Sequence, residues 1–252
     1  MSDSFTQNEH AFSVLSQSPL FGDMDAALLK SFIGQCTHVI WNKSTMLDSD
    51  IAKRYFHIII DGRLKLTQID PKSARSVTLF LLSSGDAYDI FTLLDGEEHT
   101  VFPVAVDQVH ALRMPLDEAR AWLHAHPELN RQFFPYLGHM LRHLENFCES
   151  MIFDDTATRL SKLILRHTVP QKHPDLPHYP VRLIHNLSHE ALAEMIGSVR
   201  SVVSSQMHKL KEQNIIHSSR GHLAVKDLQA LIKKSDEFAD CIDEQRRNAS
   251  ER

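Results

Sequence analysis

The sequence predicts an α+β protein with an N-terminal double-stranded β-helix, or jelly roll, then one long helix and a C-terminal winged helix-turn-helix. Short β-rich runs separated by turn residues fill residues 37–115, which is typical of a compact antiparallel roll. Apolar residues then recur at spacings of three and four. Two short amphipathic helices follow, joined by a turn at Gly197. We therefore expect domains at residues 1–126 and 154–252, connected by a helix at 127–153.

Length and composition agree with this division. The 252 residues are enough for about two domains with separate cores. No apolar run approaches the roughly 20 residues of a membrane span, and the N-terminus lacks the pattern of a secretory signal, so we expect a cytoplasmic protein without membrane contact. Cys36, Cys148 and Cys241 are odd in number and far apart. This spacing predicts plain thiols, with neither a disulfide framework nor an iron-sulfur cluster.

The roll prediction depends on six β-rich runs. They are Val39–Trp41, Tyr55–Ile60, Arg63–Ile69, Val77–Leu82, Thr100–Val106 and His110–Met114. Turn signals separate them at Asp61-Gly62, Asp70-Pro71, Ser84-Gly85-Asp86 and Asp95-Gly96. Residues 1–18 read as an arm or first helix, followed by a capped helix at Phe21–Ile33.

The apolar stripe of the long helix predicts a homodimer. The helix follows a shorter one at Leu116–Ala125, and Pro135 is expected to kink or restart it. The stripe continues for several turns past that proline, and a stripe of this length usually packs against a second copy of itself. Its members are Leu129, Phe133, Leu137, Met140, Leu141, Leu144, Phe147, Cys148 and Met151.

The residues after the long helix predict a hinge and the frame of the C-terminal domain. A break at Phe153-Asp154-Asp155 marks the hinge, and Asp155 is placed to cap a helix over Thr156–His167. The proline-rich residues 169–180 indicate a surface loop before a strand at Val181–Ile184. A last helix is expected at Asp227–Phe238.

The helix-turn-helix itself spans Leu187–Ile216. Ser188 is a good N-cap for the first helix, and Ser198 is expected to cap the second. The apolar side of the second helix is predicted to carry Val199, Val202, Val203, Met207 and Leu210. Two short strands around a turn at Arg220-Gly221 would form a wing after it.

The polar side of the second helix suits a DNA major groove. Arginine can pair with guanine, and hydroxyls can bond bases or phosphates. Between residues 199 and 226 the chain carries five positive charges and one negative, although its net charge is −5. The wing would bring Arg220 and His222 near a phosphate backbone. The predicted DNA-binding residues are Ser188, Ser198, Arg200, Ser201, Ser204, Ser205, His208, Lys209 and Arg220. The plainer alternative is an amphipathic helix pair with a solvated serine-rich face.

In its order of roll, long helix, Phe-Asp-Asp hinge and winged helix-turn-helix, the chain resembles the cAMP receptor protein and fumarate-nitrate regulator (Crp/Fnr) superfamily of bacterial transcription factors. The resemblance covers nearly the whole chain and is strongest at Leu187–Ile216 and at Tyr55–Leu82. It implies a cyclic-nucleotide-binding-like sensor roll at residues 1–126 and a homodimer that binds a roughly palindromic site on double-stranded DNA. It also implies a small-molecule or gas effector and leaves RNA polymerase open as a partner. By position, Arg200 resembles the family's base-reading arginine, with Ser201 and Ser205 at other base-contact positions.

The departures from the family pattern predict that cAMP is not the effector. The family's Gly-Glu and Arg-Ser pairs, which hold the ribose and the cyclic phosphate, correspond to Asp89-Ile90 and His99-Thr100. The family's adenine-contacting Thr-Ser pair corresponds to Leu144-Glu145. A carboxylate repels an anion, and histidine is not a permanent cation. The resemblance thus implies an effector pocket of altered chemistry at Tyr88, Asp89, Ile90, His99, Thr100, Leu144 and Glu145.

The seventeen histidines raise a rival hypothesis. His139 and His143 have a metal-binding spacing, but chance pairs are expected with so many histidines, so we predict no metal site. The cofactor is left unknown, with haem open through Asp89, His99 or His110. The alternative function is a haem- or metal-binding sensor or storage module whose helix-turn-helix contacts proteins. No nucleophile elbow, phosphate loop or paired-carboxylate motif occurs, so we do not expect an enzyme.

Overall fold

A computed structural model describes residues 2–47, 54–97, 99–170, 178–219 and 221–235. The chain divides into two compact units, Met1–His143 and Leu144–Arg252. The boundary between them falls inside the predicted long helix, so each unit contains part of that helix. The predicted division into three regions remains a prediction.

The first unit begins with two helices, α1 at Ser2–Leu15 and α2 at Ala26–Gln35. The prediction placed the second helix at Phe21–Ile33, several residues too early. Asp25 fixes its actual start, because its carboxylate accepts hydrogen bonds from the backbone N–H groups of Ala27 and Leu28.

In the described residues of the first unit, seven antiparallel strands form the roll in two sheets. They are β1 Thr37–Trp41, β2 Tyr55–Asp61, β3 Leu64–Ile69, β4 Ser76–Leu82, β5 Ala87–Tyr88, β6 Phe102–Ala105 and β7 Val109–Pro115. One sheet has the order β1-β7-β2-β5 and the other β4-β3-β6. The six predicted runs match β1, β2, β3, β4, β6 and β7, and each predicted end lies within two residues of the observed one. The two-residue strand β5 and a short helix α3 at Ile90–Asp95 were not predicted.

Two features fix the shape of the roll. Its core contains fully buried aliphatic side chains, among them Ile58, Ile59, Leu64 and Leu112. Gly62 turns the chain between β2 and β3 at φ 84°, and a Cβ there would lie 2.3 Å from the carbonyl oxygen of Gln108. This turn therefore requires glycine.

The predicted helices near the end of the first unit are present with one correction. Helix α4 runs from Leu116 to Ala125, and a 3₁₀ turn at Pro127–Leu129 leads into α5, Asn130–Phe153. Of the two outcomes predicted at Pro135, a kink or a restart, the restart is wrong, because Pro135 lies inside the single helix α5. Proline has no N–H to donate to the Arg131 carbonyl, so α5 lacks one helical hydrogen bond at this point.

The described part of the second unit contains several short helices and a small sheet. Its elements are α6 Thr156–Arg166, β8 Tyr179–Pro180, α7 His189–Met195, α8 Arg200–Glu212, β9 Ile216–Ser219 and β10 His222–Val225, followed by helical residues 228–235. The sheet order is β8-β10-β9. Asp155 caps α6 through the N–H of Thr158, as predicted. A strand was predicted at Val181–Ile184, but the observed strand β8 is Tyr179–Pro180. Val181 makes only an isolated bridge to Thr168.

Within the described residues, no helix combines the length and the apolar character needed to cross a membrane.

Candidate nucleic-acid interface and effector pocket

The helix-turn-helix is built from α7, a short turn around Gly197 and α8. The Ser188 hydroxyl accepts a hydrogen bond from the Ala191 N–H at 3.2 Å and so caps α7 as predicted. Gly197 adopts φ 58°, a left-handed conformation that glycine accepts most readily, and the Ser198 N–H bonds the Ala193 carbonyl at 2.9 Å. These bonds hold the two helices at a fixed turn.

The start of α8 differs from the prediction in two ways. Its N-cap is Val199, with no side-chain capping bond, so the predicted Ser198 cap is wrong. The apolar side of the helix is narrower than expected, because Val199 and Val202 are 45% and 37% exposed. Only Val203, Met207 and Leu210 are buried. The exposed valines border the polar side and widen the surface that α8 offers.

The predicted DNA-reading side chains share one exposed surface, which we call the polar ridge. Its members are Arg200, Ser201, Ser204, Ser205, His208 and Lys209, all exposed. In the described part of the chain, only His208 among them has a recorded side-chain partner, Glu212, with Nε2 and Oε1 3.1 Å apart. Ser198 is half-buried in the turn, and Arg220 lies outside the described residues. The ridge groups are therefore available to an external partner.

The wing carries a histidine cluster that the sequence prediction did not identify as a unit. The rings of His178 and His217 stack with centroids 5.5 Å apart, and those of His217 and His222 are 6.1 Å apart. Desolvation, followed by the neighbouring His178, Lys226, His222 and Lys211, lowers the pKa of His217. The three residues are separated by up to 44 positions in sequence, so only the sheet register brings them together.

The predicted effector pocket is only partly assembled by the described geometry. Tyr88, Asp89 and Ile90 are buried, and the Asp89 Oδ1 lies 3.7 Å from the His99 Nδ1. Thr100 is exposed, which places its hydroxyl outside the buried group. Leu144 and Glu145, half-buried and exposed respectively, belong to the second unit.

Asp89 has an unusual environment for a carboxylate. It adopts φ 70° and precedes α3 without capping it. Its side chain is 2% exposed, and neither its Oδ1 nor the His99 Nδ1 has a hydrogen-bond partner among the described residues. The His99 ring meets the Phe91 ring edge-on at 5.1 Å. Buried polar atoms without partners are costly, so this pair is a candidate binding group.

A ring of aromatic residues next to this pair was also missed from sequence. His57 is 1% exposed and lies against the rings of Trp41, Tyr55 and Tyr88. Burial, and then the charge of Arg113, lowers the pKa of His57 to about 4, while Asp89 opposes that shift. His57 is therefore neutral at physiological pH. β2 is buried at every position from Phe56 to Ile60, so the continuous apolar run around His57 could have predicted its burial, but not its neighbours.

The remaining histidines and the cysteines are scattered. Among the described residues, no group of three His, Cys, Asp or Glu side chains is arranged to hold a metal ion. His143 donates to the Leu79 carbonyl at 2.9 Å and packs on Phe80. His110 contacts the Gln108 amide oxygen at 3.3 Å. Burial raises the pKa of Cys36 to about 12, Cys148 is exposed, and Cys241 lies outside the described residues.

Comparisons with known proteins agree on one family. Residues 158–234 match the model of the Crp-like helix-turn-helix domain. The chain is 24% identical over 179 residues to a CRP-like cAMP-activated global transcriptional regulator of Mycobacterium tuberculosis, covering 71% of this chain and 79% of that protein. It is 27% identical over 197 residues to the global nitrogen regulator of Synechocystis, covering 77% and 85%.

Solved structures show the same fold. A CooA mutant from Carboxydothermus hydrogenoformans aligns with a TM-score of 0.67 at 19% identity, covering 84% of this chain and 91% of that one. A transcriptional regulator of the Crp/Fnr family from Thermus thermophilus aligns with a TM-score of 0.62 at 19% identity, covering 80% and 100%. At such identities these likenesses concern the fold.

Proposed function

Since the chain belongs to the Crp/Fnr superfamily and is a transcription regulator of that type, we propose that it works as a homodimer that reads a roughly palindromic DNA site with the polar ridge and responds to an effector other than cAMP. The observation that carries this proposal is the ridge itself, where exposed hydrogen-bonding groups begin at the N-terminus of α8. A helix end of this kind enters the major groove in helix-turn-helix proteins.

Arg200 is the proposed base-reading residue. It is the first residue of α8, and the described part of the chain offers its guanidinium no recorded partner. A free guanidinium can make a bidentate contact to guanine O6 and N7. The exposed hydroxyls of Ser201 and Ser205 are placed for neighbouring bases or phosphates, and Lys209 for a phosphate.

Arg200→Ala tests the ridge. A DNA site selected from random duplexes with the wild-type protein would be used for fluorescence anisotropy. We expect the variant to lose about 1–3 kcal/mol of binding free energy at one base pair of each half-site, and to discriminate poorly there. Lys209→Ala is the matched control, since loss of a phosphate contact weakens binding to all sequences alike. Unchanged discrimination by Arg200→Ala would contradict the assignment.

Leu129, Phe133 and Met140 of the predicted dimer stripe are buried within the first unit, so dimerisation is proposed from the exposed side of α5. Phe134 and Leu141 are each 62% exposed and seven residues apart, and exposed Cys148 follows after seven more. Ile152 is 72% exposed one turn later. Apolar residues at this spacing on one helix are the pattern of a coiled-coil seam. A second copy of the same helix would bury them.

Leu141→Asp tests this seam by sedimentation equilibrium. We expect the measured mass to fall from twice the chain mass toward the 28.8 kDa of one chain, because a carboxylate in an apolar interface loses its hydration. Leu94→Asp is the control, since Leu94 is also exposed, at 48%, but lies on α3. A dimer that survives Leu141→Asp would place the contact elsewhere.

The effector proposal follows from the Asp89 and His99 pair. A buried carboxylate in the place of the family's small glycine repels the cyclic phosphate, and the buried Asp89 Oδ1 and His99 Nδ1 lack hydrogen-bond partners among the described residues. We infer an effector that is not a phosphate anion and that hydrogen-bonds these atoms. The alternative of a haem or metal storage module is not favoured by the family match.

A further inference from the structure

The wing of the second unit places three histidines on one face of its sheet. In the register, Ala224 of β10 lies opposite both His217 of β9 and Pro180 of β8. Opposed residues in an antiparallel sheet share a face, and so do residues two apart on a strand. His178, His217 and His222 therefore face the same way, and Lys226 follows Ala224 with the same parity.

The cluster is surrounded by positive rather than negative groups. His178 approaches His217 from the position just before β8, and His222 approaches it from β10. Lys226 approaches it from the position just after β10, and Lys211 from the last turn of α8. None of the groups that act on the pKa of His217 is acidic. In the described residues no ion pair is recorded for these three histidines, whereas His208 on the ridge is paired with Glu212.

This arrangement makes the charge of the cluster depend on what lies next to it. The desolvation and the neighbouring positive groups lower the pKa of His217 in the free protein, which favours its neutral form at pH 7. A DNA phosphate beside the rings would reverse that balance, because an opposite charge favours the protonated imidazole. His222 is exposed and His178 and His217 are half-exposed, so a phosphate can reach them. Proton uptake and phosphate binding would then be coupled.

We propose that His178, His217 and His222, with Lys211 and Lys226, form a proton-dependent phosphate contact that strengthens DNA binding as the pH falls. This proposal rests on the DNA-binding function proposed above and adds a regulated contact outside the polar ridge. By linkage, DNA affinity rises with falling pH by about tenfold per pH unit for each proton taken up on binding. The response lies in the range where histidine changes its charge.

The test compares the wild-type protein with the triple variant His178→Gln, His217→Gln and His222→Gln. Affinity for the selected duplex is measured by anisotropy at about pH 6 and about pH 8, within the titration range of histidine. We expect the wild type to bind about tenfold more tightly at the lower pH, and the variant to lose most of that difference. The salt dependence of wild-type binding should also be steeper at the lower pH, by about 0.9 for each additional phosphate that the protein neutralises there.

Two further variants separate this contact from other histidines that could titrate. His10→Gln and His124→Gln each remove an exposed histidine of the first unit, on α1 and α4 respectively. Both should keep the pH response of the wild type. A triple variant with an unchanged pH response would overturn the proposal while leaving the DNA-binding function intact. Failure of the wild type to select any DNA site at either pH would overturn the proposed function as well.

Discussion

The polar ridge of α8 and the predicted effector pocket around Asp89 use polar side chains in opposite ways. On the ridge, Arg200 and its serine neighbours are exposed and largely without internal partners. In the pocket, Asp89 and His57 are almost completely buried, and the protonation of His57 is set by the surrounding protein. Exposed groups can be replaced with little effect on folding, whereas buried ones affect stability first. The difference separates exposed residues that are available to a partner from buried residues that shape the fold.

The largest expected effect concerns His57. Its pKa is about 4 in the folded protein, against an ordinary value of 6.5. Between these values the unfolded chain binds the proton more readily, so stability is full above pH 6.5 and is lost as the pH falls toward 4. The loss amounts to about 3 kcal/mol of unfolding free energy. Urea unfolding followed by the fluorescence of Trp41 and Trp122, both in the first unit, would measure it.

His57→Phe is the matched variant, because a phenyl ring keeps contacts to Trp41 and Tyr88 but cannot be protonated. Between pH 6.5 and pH 4 we expect the variant to lose about 3 kcal/mol less unfolding free energy than the wild type. Burial also raises the pKa of Asp86, so the pH profile of the wild type alone does not report on His57. The difference between the two proteins isolates His57. Parallel pH profiles would mean that His57 reaches water without unfolding.

An intermediate effect is expected for Tyr136, which ties the first turns of α5 to the roll. Its hydroxyl accepts from the Ala87 N–H and donates to the Asp86 Oδ1, both at 3.2 Å. Tyr136→Phe leaves both buried groups short of a partner and should cost about 2 kcal/mol in urea unfolding.

Tyr55→Phe is the control for Tyr136. The Tyr55 side chain is half-buried beneath Arg113, and its hydroxyl has no recorded partner in the described residues. It should change stability by less than about 0.5 kcal/mol. Equal losses of unfolding free energy in the two variants would show that the two hydrogen bonds of the Tyr136 hydroxyl do not stabilise the fold.

The same contrast explains what the sequence could predict. The polar ridge lies on one helix, so helical periodicity alone identified its exposed members. Helical periodicity wrongly assigned Val199 and Val202 to the apolar side of α8. Both are exposed, because only Val203, Met207 and Leu210 of this helix are buried. The six main strands were also predictable, since alternating β-rich runs and glycine turns are local signals.

Clusters that depend on strand register were not predictable. His57, Asp89 and Arg113 come from three separate segments, and β2 pairs with both β5 and β7 to bring them together. The wing histidines meet across β10 for the same reason. Sequence spacing carries no information about such contacts. The resemblance to a known family supplied the position of Asp89, but not its burial or its missing hydrogen bond.

The smallest expected effect, and the sharpest test of the pocket, is the response to cAMP. In the correspondence that the family resemblance implies, His99 takes the place of the phosphate-binding arginine. The buried Asp89 carboxylate lies 3.7 Å from His99 and would repel a cyclic phosphate. About 1 mM cAMP should therefore raise the unfolding free energy by less than about 0.3 kcal/mol, whereas a ligand at about 100 times its Kd adds about 2.7 kcal/mol. Restoring the family pattern with Asp89→Gly, Ile90→Glu, His99→Arg and Thr100→Ser should increase the response. A strong response by the wild type would mean that the carboxylate moves aside or is protonated on binding, and the pocket would then accept anions after all.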